Sequence, residues 1–235
     1  GGRGGGGAAS IAARPAPTGS AAVIRLLPAI LLLIAIGCDR PDPPSGTARS
    51  TPRFEAVTDS GIDLVMTSGV LPSTQIIEVN GGGLALLDYD DDGDLDLFVA
   101  NGATLDSPDA GPGCRLFENR GDMRFVDATD ASGISLRRWA MGAAAADYDG
   151  DGHVDLYVTC HGPDVLLRNG GDGTFAQVDL DAIPDGWSTS AAFADFDGDL
   201  DLDLLVVRYL EFDPADPPGP ASFKDQQVMA GPNGL

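Results

Sequence analysis

Asp147-Tyr148-Asp149-Gly150-Asp151-Gly152-His153-Val154-Asp155-Leu156-Tyr157-Val158 sets a carboxylate at alternate positions and then runs into an apolar strand. Two more segments keep the same phase. One is Asp88-Tyr89-Asp90-Asp91-Asp92-Gly93-Asp94-Leu95-Asp96-Leu97-Phe98-Val99, and the other runs from Asp195-Phe196-Asp197-Gly198-Asp199-Leu200 to Val206. Their first aspartates are 59 and 48 residues apart, a period of propellers or solenoids. Between them a second unit repeats: Leu116-Phe117-Glu118-Asn119-Arg120-Gly121-Asp122 matches Leu166-Leu167-Arg168-Asn169-Gly170-Gly171-Asp172. Short apolar strands about a Gly/Asp/Asn turn mark a hairpin. One period therefore holds four short strands, the content of a propeller blade. The expected fold is all-β, a β-propeller of four-stranded blades. About three blades are expected, over 80–134, 139–180 and 187–235, the last truncated and without its hairpin.

Composition agrees with a turn-rich β chain. Of the 235 residues, 36 are acidic against 14 Lys and Arg, a formal charge of −22, and only four of the acids are Glu. Asp favours turns and hard cations where Glu favours helices. A surface this negative repels phosphates, which excludes nucleic acid as a partner. Hydrophobic residues make up 43%, enough for a core and unlike a disordered composition.

The chemistry lies in the loops. Positions 1, 3, 5 and 9 are carboxylates: Asp88, Asp90, Asp92, Asp96; Asp147, Asp149, Asp151, Asp155; Asp195, Asp197, Asp199, Asp203. Position 7 (Asp94, His153, Asp201) offers a backbone carbonyl. Two carboxylates about 4 Å apart repel by roughly 1 kcal/mol even in water. Calcium takes six to eight such oxygens at about 2.3–2.6 Å. One Ca2+ per loop is the expectation. An EF-hand requires Glu at position 12 and flanking helices, but Val99, Val158 and Val206 stand there, in strands. A dockerin-like helical loop is disfavoured for the same reason. Asp195-Phe196-Asp197-Gly198 also looks like a haloacid-dehalogenase nucleophile loop, which an enzyme uses once rather than three times.

These motifs resemble the FG-GAP/VCBS repeats of integrin-α-like β-propellers, most closely the bacterial set similar to cartilage acidic protein that carries an ASPIC/UnbV domain. The resemblance spans roughly residues 53–235. It implies a seven-bladed parent propeller with calcium in several blade loops, held by the loop positions named above. Two positions depart from the pattern. Leu200 replaces the position-6 Gly, where positive φ is required, so the third site should be weaker. Met123 replaces the equivalent of Gly173. A further echo, 53–62 against 124–134, suggests that an N-terminal strand completes the last blade.

At the N-terminal end, 1–20 is a low-complexity segment expected to be disordered. Residues 21–38 read as a signal peptide: the apolar run 26–36 is too short to span a bilayer, and Gly37-Cys38 resembles a lipobox, with Cys38 the lipidated residue. Plain secretion is the alternative. Pro41, Pro43, Pro44 and Pro52 make 39–52 a linker, followed by the partial propeller at 53–235. The chain does not begin with Met and stops at Gly234-Leu235, directly after the loop-like Gly231-Pro232-Asn233, so it is read as incomplete at both ends, and an open arc of blades is expected to be poorly soluble. Pairing of Cys114 with Cys160 stays open. Trp139 and Trp187 read as packing residues. Arg120-Gly121-Asp122 reads as part of a hairpin turn rather than an adhesion motif. His153, Cys160 and His161 do not suggest a transition-metal set.

No catalytic constellation is visible. The functional expectation is an exported calcium-binding module, non-catalytic, recognising an extracellular protein or glycan and touching a membrane only through a lipid anchor. The alternative is an extracellular hydrolase or lyase whose channel active site lies in other blades.

Overall fold

The computed structural model describes residues 10–11, 55–180, 183, 185–213, 215–216, 219, 221–223 and 226–228. The chain divides into two compact units, 1–14 with 59–235 and 15–58. The expected signal peptide, Cys38 and the linker lie outside the described residues. Among the described residues no helix is long and apolar enough to cross a membrane.

The architecture is all-β and antiparallel. Strands β1 (Ser10–Ile11), β2 (Leu84–Leu87), β3 (Asp96–Val99), β4 (Arg115–Asn119) and β5 (Phe125–Asp127) precede β6 (Ala140–Ala146), β7 (Asp155–Gly162), β8 (Val165–Asn169) and β9 (Phe175–Val178). Then come β10 (Gly186–Ala194), β11 (Asp203–Arg208), β12 (Ala221–Phe223) and β13 (Gln226–Val228), and a 3-10 turn occupies Ile76–Val79. β2-β3-β4-β5 form a four-stranded meander. β6-β7-β8-β9 repeat it, and β10 pairs with β11 and, through Gly186 and Trp187, with the end of β7. β1 lies along β11, two residues of ladder within a stretch whose composition suggested none. After β11, β12 and β13 pair with each other as a separate two-stranded sheet and, among the described residues, with no strand of the third unit.

Period-2 patterning explains the stacking. In β2, Ala85 and Leu87 are buried while Leu84 and Leu86 face out. The buried set joins Phe98 and Leu116 to Leu156, Val158, Leu167 and Phe175, a core between the first and second sheets. Tyr157, Leu166 and Val206 form another, with Phe193 and Leu204 from β10 and β11 packed against it. Full burial of such a side chain contributes about 1.5–3 kcal/mol. Trp139 and Trp187, each about 1% exposed, sit with Ile77 and Met141 in a third cluster, which matches their reading as packing residues. The first strands approach each other closely by backbone. A Cβ on Gly83 would lie 2.9 Å from Gly142 Cα, and one on Gly142 would lie 3.0 Å from the Thr189 carbonyl.

The 53–62 echo has a structural counterpart. Ser60 O accepts from Phe125 N at 2.7 Å, and Ser132 O accepts from Phe175 N at 2.9 Å. The same turn thus fastens onto the outer strand of the sheet that follows it, with Gly61 and Gly133 at φ 82° and 76°. Cys114 and Cys160 are buried free thiols. Burial pushes the Cys114 thiol up to about 11 and that of Cys160 well above its usual value.

Candidate metal-binding loops

Each Asp loop joins the first two strands of its unit and is folded by its own carboxylates. Position 1 accepts from the turn: Asp88 takes the N–H groups of Asp92 (3.0 Å) and Gly93 (2.9 Å). Asp147 takes those of Gly150, Asp151 and Gly152, and Asp195 those of Gly198, Asp199 and Leu200. Such wrapping needs left-handed residues at positions 4 and 6. Gly93, Gly152 and Leu200 have φ of 93°, 98° and 78°, and Asp91 replaces glycine at position 4 with φ 60°. Leu200 therefore adopts the conformation its glycine equivalents adopt, with 93% of its surface exposed. Met123, at φ 59°, likewise follows Gly173, at 77°.

Position 9 opens the second strand and is clamped from two sides. Asp96 Oδ2 accepts from Tyr89 N (3.0 Å) and Oδ1 from Asn119 N (2.8 Å). Asp155 accepts from Tyr148 N (3.1 Å) and Asn169 N (2.7 Å). Both carboxylates are fully buried. The hairpin asparagines complete the clamp. Asn119 Nδ2 donates to Leu95 O, and Asn169 Nδ2 donates to Val154 O and, across the sheets, to Tyr89 O at 2.8 Å. Asp203 receives Phe196 N at 3.0 Å, and no hairpin asparagine reaches it among the described residues.

Three clusters result in which carboxylate oxygens lie within 4.8 Å of one another: Asp88, Asp90 and Asp96; Asp147, Asp149 and Asp155; Asp195, Asp197 and Asp199. Asp90 and Asp92 make a further cluster with Glu118. The side chains of position 7 (Asp94, His153, Asp201) are in none of them, and neither is Asp203. His153 instead reaches the neighbouring loop, its Nδ1 2.7 Å from Asp91 Oδ2. Asp151, expected among the ligands, has its Oδ2 held by Arg168 Nη2 at 2.7 Å, and Arg168 Nε holds Asp149 Oδ2 at 2.6 Å.

The electrostatics suit a cation. Burial pushes Asp96 up to about 6, opposed by the Asn119 and Tyr89 N–H groups and reinforced by Asp90 and Asp92. Burial likewise raises Asp90 and Asp155. Asp90 Oδ1 is buried and has no hydrogen-bond partner among the described residues. An unsatisfied carboxylate oxygen among other carboxylates is what a hard divalent ion coordinates, so the donor set of the first loop fits calcium.

Sequence patterns concealed four contributors. Asn119 and Asn169 read as turn residues, although their shared place in the repeat was a signal. Glu118 and Arg168, one residue earlier, carried no signal because they differ in sign. At the opposite end of β7 from its Asp loop, a cavity of about 730 Å³ is lined by His161, Trp187 and Phe212, with Asp185, Glu211 and Asp213 among its acids.

Repeated antiparallel sheets, each with an Asp-rich loop between its first strands, define a class of all-β repeat proteins with candidate cation loops. The FG-GAP-like repeat matches residues 88–158 and 147–206, each match running from position 1 of one loop into the strand beyond the next. The chain belongs to the FG-GAP-like repeat family. No curated protein matches it.

Proposed function

We propose that this chain is a calcium-stabilised β-propeller segment of an exported binding protein, of the cartilage-acidic-protein-like kind. The segments 80–134, 139–180 and 187–235 act as successive blades, and calcium in the Asp loops fixes their geometry. The observation that carries this reading is the first loop, where three carboxylates converge and Asp90 Oδ1 is buried without a partner. Asp88, Asp90 and Asp96 would hold the ion, with the position-7 carbonyl available beside them. Calcium there supplies charge neutralisation and rigidity, not chemistry on a substrate. Extracellular calcium modules bind at about 10⁻⁴–10⁻³ M, which matches a role outside the cytoplasm, with Cys38 as a lipid anchor.

Recognition of a protein or glycan belongs to the end of the sheets away from the Asp loops, where the cavity beside Trp187 lies. The test is calorimetric titration of calcium into the chelated full chain. Saturable binding at more than one site is expected, and Asp88→Ala, Asp147→Ala and Asp195→Ala should each remove one increment. Titrations without binding heat would overturn the proposal.

A further inference from the structure

The first two loops share their fold but not their charge. The first carries six aspartates, Asp88, Asp90, Asp91, Asp92, Asp94 and Asp96, and faces Glu118; the second carries four and faces Arg168. Glu118 and Arg168 are equivalent residues, each immediately before the clamping asparagine of its hairpin, on β4 and β8. Glu118 is nearly buried and its carboxylate converges with Asp90 and Asp92, while its Oε2 also receives Arg120 Nη2 at 2.8 Å. Arg168 bonds Asp149 and Asp151, positions 3 and 5, through two different nitrogens. The position-3 oxygen that lacks a partner in the first loop has its counterpart residue engaged by a guanidinium in the second.

We propose that Arg168 is a built-in counter-ion of the second loop, which therefore binds a divalent cation more weakly than the first loop, where Glu118 adds a ligand at the same place. This inference rests on the calcium reading above. A guanidinium fork neutralises two carboxylates without a metal. A cation entering the second loop must break both bonds, whereas in the first it meets additional negative charge. The loops then load in order, and the second unit keeps its geometry at calcium concentrations that leave the first unloaded.

The aromatic residue at position 2 gives a local reporter, since Tyr89 and Tyr148 differ in loop but not in place. Terbium(III), a calcium-sized luminescent ion, is titrated into the full chain and into Tyr89→Phe and Tyr148→Phe variants, which assign the sensitised emission to each loop. The first loop is expected to fill at lower terbium. Arg168→Gln should tighten the second loop roughly threefold to tenfold, since exposed ion pairs are individually weak, and Glu118→Gln should weaken the first by a similar factor. Calcium competition should return the same order. Loops that fill together in the unaltered chain, or an Arg168→Gln chain with unchanged second-loop affinity, would overturn the inference while leaving the calcium reading standing. No displaceable terbium in any variant would overturn both.

Discussion

The second and third units carry the same loop phase, yet they hold it differently. In the second, Asp155 is fully buried and gripped by Tyr148 N and Asn169 N. In the third, Asp203 is only partly buried and is gripped by Phe196 N. The second unit's carboxylate cluster accordingly includes position 9, whereas the third's consists of Asp195, Asp197 and Asp199, all exposed. The lesson is that alternating aspartates do not make a preorganised site by themselves. The neighbouring hairpin, through its asparagine, pulls the last carboxylate into place.

The largest effect should come from removing that grip. Asp155→Ala strands the Tyr148 and Asn169 N–H groups, and unpaired buried donors cost about 1–3 kcal/mol each. A loss of about 3 kcal/mol is expected in denaturant unfolding, against less than about 1 kcal/mol for Asp203→Ala. Equal losses would erase the distinction between the units. Next is Asn169→Ala, which removes donors to Val154 O and Tyr89 O and the acceptor of Gly171 N. Thermal melts should show a loss of about 2 kcal/mol.

Leu200→Gly should stabilise the chain by about 1 kcal/mol, because a leucine at φ 78° bears a steric penalty that glycine escapes. Gly152→Leu should reproduce that penalty in the second unit. Matched double-variant melts test whether the loops share one backbone requirement.

The smallest effect is on pH dependence in the calcium-free chain. Asp96 is raised to about 6 in the folded state from an ordinary 3.8, and Asp90 and Asp155 move in the same direction. A raised folded value means that the folded chain binds protons more readily than the unfolded one. Stability from Asp96 is thus present below about pH 4 and lost as pH rises through about 6, and Asp90 and Asp155 act in the same direction. Chelated protein should melt higher at pH 5 than at pH 7, by on the order of 1 kcal/mol, and Asp96→Asn should flatten the slope. Calcium-loaded protein should show the opposite trend, because protonation releases the ion.

Much of this was legible in the sequence because it rests on local repetition. Strand pairs, Asp loops and the left-handed backbone at Leu200 all follow from the phase of Asp, Gly and apolar residues. The interlock was not legible, since the bond from Asn119 N to Asp96 joins residues 23 apart, and turn chemistry alone accounts for an Asn two residues before Gly. Arg168 was hidden for a related reason: nothing in β8 shows that its side chain crosses to Asp149 and Asp151. Glu78 is a further case. It belongs to no motif of the repeat, yet it is buried and accepts the N–H groups of Val70, Thr74 and Gln75.

The central claim is that divalent cations neutralise the converging carboxylates and thereby stabilise the stacked sheets. Calorimetric melting of the full chain, in calcium at about a hundredfold its dissociation constant and then in excess chelator, tests it most directly. Each native-only site should add about 2.7 kcal/mol, so the calcium curve should lie several degrees higher. Superimposed curves, with no calcium retained on dialysis, would contradict it.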